Sequence, residues 1–166
     1  APDGRRLGFV STRPGAPPVS AADEMARVLP VLQDALTLGV PISVDTSKPE
    51  LMQAALDLGA DIINDIAALR QSGAVDVIRA HGQCGVCLMH MQGEPRSMQA
   101  APHYDDVVSE VARFLAARAA DLRALGVMAE RIVLDPGIGF GKTAEHNLAL
   151  LARQTELMSL GYPLLA

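Results

Sequence analysis

One unit recurs along this chain: a short apolar run stops at a polar residue, and a loop then leads into a helix. The runs are Pro41-Ile42-Ser43-Val44 stopping at Asp45, Ile62-Ile63 at Asn64, Val86-Cys87-Leu88-Met89 at His90, and Ile132-Val133-Leu134 at Asp135. Between them, apolar spacing predicts helices over 20–38, 49–58, 73–81 and from Asp105 or Asp106 to Leu125. Gly39, Gly59, Gly82 and Gly126 end them. Ser20 is expected to cap the first helix, with Asp23 three residues on, and Pro30 to kink it. Ser47 and Glu50 read as a capping box around Pro49. A further helix is expected from about 145 to 159, and Tyr162–Leu165 as the start of another strand. Strands alternating with helices require a parallel sheet. Runs apolar throughout suit strands covered on both faces. The polar residue always sits at the strand's carboxyl end, where (β/α)₈ barrels and doubly wound sheets both bind ligands. Spacing alone does not separate these two folds.

With 49% apolar and 20% charged residues, 166 residues suffice for one domain over 1–166. Basic residues number 14 and acidic ones 19, a net charge of −5, which argues against a nucleic-acid partner. Aromatic residues are 3% and Trp is absent, so base-stacking platforms are not expected. No apolar run approaches the roughly 20 residues that span a bilayer, and no signal peptide is visible. Two cysteines give no disulfide framework, so a reducing cytoplasm is the expected compartment.

Two motifs invite readings that fail on their own terms. Cys84 and Cys87 form a C-x-x-C, but it leads into a strand instead of opening a helix, and no second pair completes a zinc site. Buried thiols are expected there. The Gly137–Thr143 segment resembles a phosphate-binding loop, yet Pro136 stands where that pattern needs Gly. It reads as a sharp turn with close backbone approach.

Asp45, Asn64, His90 and Asp135 thus form a polar rim. Two carboxylates and an amide suit a flat heterocycle with several N–H donors, because carboxylates accept paired hydrogen bonds and an amide both donates and accepts. In order along the chain stand Ser11-Thr12-Arg13-Pro14-Gly15, Ser43-Val44-Asp45-Thr46, Ile63-Asn64-Asp65, Leu88-Met89-His90 and Leu134-Asp135-Pro136-Gly137-Ile138-Gly139-Phe140-Gly141-Lys142. This set, running from about Gly8 onward, resembles the bacterial dihydropteroate synthases of folate synthesis.

The resemblance implies a TIM barrel and a transferase that joins a hydroxymethyl-dihydropterin diphosphate to 4-aminobenzoate, releasing pyrophosphate. It implies that Asp45, Asn64, Asp135 and Met89 hold the pterin. Thr12, Arg13 and Asp45 would act at the reacting centre. Thr12, Arg13, Pro14 and Phe140 would hold the aminobenzoate, whose site sulfonamide drugs mimic. It further implies magnesium and a homodimer. The family's first strand, with an Asn that helps bind magnesium, and its later Lys and Arg-x-His groups have no counterpart here, so no metal ligand is assigned in this chain. The expectation is therefore a partial barrel lacking the first strand and the last one or two βα units, an internal piece that is marginally stable and inactive alone. Arg5–Val10 also replaces the acidic, Gly-rich strand end the family shows. Rival readings are a methyltetrahydrofolate–corrinoid methyltransferase, which is not expected to carry the Ser-Thr-Arg-Pro-Gly loop, and a non-catalytic remnant.

Overall fold

A computed structural model describes residues 19–95 and 97–165. In chain order the elements are α1 (Ala21–Leu36), β1 (Ser43–Asp45), α2 (Pro49–Leu58), β2 (Ile62–Asp65), α3 (Ala74–Ala80), β3 (Gly85–Met89), α4 (Val107–Ala124), a 3₁₀ turn (Ala129–Arg131), β4 (Ile132–Asp135), α5 (Ala144–Ala152) and α6 (Gln154–Met158). The strands form one parallel sheet in the order β1-β2-β3-β4.

That order decides between the two folds. Each crossover advances one place in the same direction, and crossovers of a parallel sheet are right-handed. All helices must then lie on one face of the sheet, as in a barrel. A doubly wound sheet reverses direction and puts helices on both faces. The packing agrees. Val44, Ile63, Val86, Leu88, Ile132 and Leu134 point to the helices and share a core with Met52, Ala55, Ile78, Val108, Val111 and Leu115. The opposite face carries Ser43, Asp45, Ile62, Asn64, Gly85, Cys87, Met89, Val133 and Asp135. That face mixes apolar Ile62, Cys87, Met89 and Val133 with polar Ser43, Asp45, Asn64 and Asp135, so the runs are apolar toward the helices and mixed on the other side.

Local signals explain most boundaries. Ser20 caps α1 by accepting from the Asp23 amide and donates to the Asp23 carboxylate. Asp106 caps α4, and Gly59 closes α2 with φ 111°. The Ser47–Glu50 capping box does not form: the Ser47 hydroxyl is drawn to the buried Asp65, and Lys48 occupies the N-cap without a side-chain bond. The single helix expected over 145–159 is broken at Arg153, whose guanidinium grips Asp106 and Glu156. Of the strand expected at Tyr162–Leu165, one bridge forms, Leu164 beside Leu134. The Arg5–Val10 segment, which stands where the family shows a strand end, lies outside the described residues. No helix among the described residues is long and apolar enough to cross a membrane.

Candidate functional site

Asp45, Asn64 and Cys87 stand side by side across β1, β2 and β3, paired in register. Two residues further on, Met89 pairs with Asp135 across β3 and β4. Because side chains alternate along a strand, all five project from the helix-free face at the carboxyl end of the sheet. The electrostatics agree with this convergence. Burial pushes the Cys87 thiol up to about 12, and the charges of Asp135 and then Asp45 push it the same way. Two carboxylates from non-adjacent strands thus act on one sulfur.

Asn64 lies between them. Its Oδ1 is buried and accepts no hydrogen bond among the described residues. Such an atom costs roughly 1–3 kcal/mol unless something donates to it. The neighbouring Asp65 faces the helices instead, fully buried, and accepts from Ser47 and from the amides of Ala67 and Leu69. Burial raises its pKa, against those bonds. Those bonds and the Arg118 guanidinium on the Ala68 and Leu69 carbonyls hold both residues in the left-handed region, at φ 51° and 57°. On β1's side, Thr46 donates to the buried Glu24, which also pairs with Lys48, tying α1 to the loop after Asp45.

Met89 belongs to a small apolar cluster with Ile66, Met91 and Met98, against which Phe140 packs. His90 does not join the polar set. It is turned into the protein, and burial followed by the Lys142 charge lowers its pKa to about 3. Neutral His90 can therefore accept at Nδ1 from the Lys142 ammonium, 3.0 Å away. Lys142 itself is 3% exposed and also donates to the carbonyls of His90, Gly137 and Phe140. Burial lowers its pKa to about 8.

The Gly-rich turn is a tightly bonded rim loop. The Gly137 amide donates to Asp135 Oδ1, and the Gly139 amide to Asn147. Gln99 and Tyr104, from the β3–α4 segment, donate to the carbonyls of Gly139 and Gly141. A Cβ at Gly137 would overlap the His90 carbonyl oxygen, and one at Gly141 would lie 2.6 Å from that of Gln92. The close approach expected from the glycines is present. Cys84 and Cys87 are both buried and free, as expected of that pair.

The structure thus brings Asp45, Asn64, Asp135 and Met89 to one face, with Phe140 beside Met89. Thr12, Arg13 and Pro14 lie outside the described residues. Sequence reasoning gave no role to Lys142 or Cys87 in the site's frame; for Lys142 the available signals were its place closing the Asp135–Lys142 motif and directly after a turn that demanded close packing. Among the described residues no group of three His, Cys, Asp or Glu side chains gathers to hold a metal.

The family model described as pterin binding enzyme matches residues 7–166. Dihydropteroate synthase of Neisseria meningitidis serogroup C is 53% identical over 161 residues, covering 96% of this chain and 57% of that protein. The crystal structure of Burkholderia cenocepacia dihydropteroate synthase complexed with 7,8-dihydropteroate is 55% identical, with TM-score 0.83 over 89% of this chain and 53% of that one. The Thermus thermophilus enzyme in complex with 4-aminobenzoate is 48% identical, with TM-score 0.87 over 93% of this chain and 58% of that one. The chain spans little more than half the length of the relatives it matches.

Proposed function

This chain belongs to the pterin binding enzyme family, and on that footing we propose that it supplies the pterin-holding arc of a dihydropteroate synthase. The observation that carries the reading is the orphaned Asn64 Oδ1, set between Asp45 and Asp135 on the helix-free face. An aminopyrimidinone edge offers the N–H donors that an amide oxygen and two carboxylates accept. The relatives' complexes with dihydropteroate and 4-aminobenzoate support a pterin and an aryl amine as the two ligands.

In this reading the pterin lies over Cys87 and Met89. The bond between its exocyclic methylene and the diphosphate oxygen breaks, and pyrophosphate leaves with the bonding pair. Positive charge builds on the ring, where Asp45 and Asp135 stabilise it in a site of low dielectric. The aryl amine then attacks the methylene, forms the C–N bond and loses a proton. Phe140 would flank the aryl ring, and Thr12 and Arg13 would close over the reacting centre. The family resemblance adds magnesium for the diphosphate and a homodimeric assembly. The residues described here do not form a metal site by themselves, and no step above runs through one. The two free cysteines fit a reducing cytoplasm.

Calorimetric titration of the chain with 6-hydroxymethylpterin tests the reading. Asp135→Ala should weaken binding by about 1–3 kcal/mol, since the ring's donors lose a charged acceptor. Equal affinity in wild type and variant would refute the assigned role.

A further inference from the structure

Lys142 has no part in the chemistry above, yet among the described residues it is the one buried cation. Its ammonium bonds Gly137 and Phe140 within its own loop, and the carbonyl and Nδ1 of His90 at the end of β3. It therefore ties the loop after β4 both to itself and to the neighbouring strand. The amide of one bonded residue, Gly137, holds the Asp135 carboxylate, and the side chain of another, Phe140, packs on the Met89 cluster.

We infer that Lys142 is a positioning residue, which sets the Asp135 carboxylate and the Phe140 ring in register with β3 so that ligand meets a preformed pocket. This rests on the pterin reading for the ligand, though not for the loop geometry. A pocket held this way avoids ordering its loop when ligand arrives, and small displacements of binding groups weaken binding sharply.

Arg131 provides a matched control. It too bonds backbone carbonyls, those of Ile78, His81 and Cys84, in partly buried contacts next to the amino-terminal ends of β3 and β4. Lys142→Met, Lys142→Arg and Arg131→Met are to be compared with wild type in two measurements. One is calorimetric affinity for 6-hydroxymethylpterin; the other is amide hydrogen exchange over residues 137–141. Both are made at a temperature where each protein is folded. The inference expects Lys142→Met to weaken pterin binding about tenfold or more and to speed exchange in the loop. Lys142→Arg should recover most of both losses, while Arg131→Met should stay within about twofold of wild type in affinity. Equal effects of Lys142→Met and Arg131→Met, or unchanged loop exchange in Lys142→Met, would overturn it. If wild type binds no pterin, the functional reading fails, and the exchange measurement still decides the role of Lys142. Should Lys142→Met not fold, Lys142→Leu, which likewise has no donor, takes its place under the same criteria.

Discussion

At the scale of single residues, the site is marked by groups that the fold alone does not need. Asn64 Oδ1 is buried without a hydrogen-bond donor among the described residues, which costs stability instead of adding to it. Replacing Asn64 by the nearly isosteric Leu should therefore leave the thermal midpoint unchanged or raise it, while pterin affinity falls by about 1–3 kcal/mol. A variant that loses stability and keeps affinity would show that Asn64 is structural. Cys87 gives a second test. With its thiol at about 12, it carries almost no thiolate near neutrality. Iodoacetamide at about pH 8 should leave it unmodified in the folded chain and label it after denaturation, as read by mass spectrometry. Rapid native labelling would mean the helix-free face is more open and the carboxylates less close than described. The rim positions of Asp45, Asn64 and Asp135 were legible in the sequence because each ends a short apolar run. Lys142 and Cys87 were not legible as parts of the site's frame. A lysine is buried only where loops distant in sequence meet, and a cysteine in an apolar run does not announce which face it takes.

At the scale of elements, the glycines of the β4–α5 loop make a graded prediction. Gly137 and Gly141 have positive φ and no room for a Cβ, whereas Gly139 has positive φ and open space. Gly139→Ala should cost about 1 kcal/mol of backbone strain. Gly137→Ala should cost clearly more, because backbone of the β3 end must move aside. Equal urea midpoints for the two would contradict the close approach. Far from the site, His81 joins α3 to α2: Nδ1 meets the Val77 carbonyl and Nε2 meets Asp57. These bonds raise its pKa, the Val77 bond first. Its contribution is thus fully present below the unfolded value of about 6.5 and lost as pH rises through the higher folded value. The stability gap between wild type and His81→Gln should be open at about pH 5.5 and narrow by about pH 9; a constant gap would remove His81 as its source. Helix caps at Ser20 and Asp106 were readable from neighbouring residues. The Ser47–Glu50 box and the unbroken last helix were misread for one shared reason. Tertiary partners, Asp65 for Ser47 and Asp106 for Arg153, override the local pattern.

At the scale of the whole molecule, the alternation of strand and helix made a parallel sheet readable, but not how that sheet is wound. Strand order is a property of pairing, and only the sequential order β1-β2-β3-β4 assigns the helices to one face and leaves the other for ligand. That arrangement makes four short strand ends into one site, and the central claim is where a pterin sits. The most direct test is a crystal structure of this chain soaked with 6-hydroxymethylpterin. The account predicts the ring on the helix-free face, over Cys87 and Met89, with its polar edge meeting Asp45, Asn64 and Asp135. A pterin bound elsewhere, or one on that face making no hydrogen bond to Asn64 or Asp135, would contradict it.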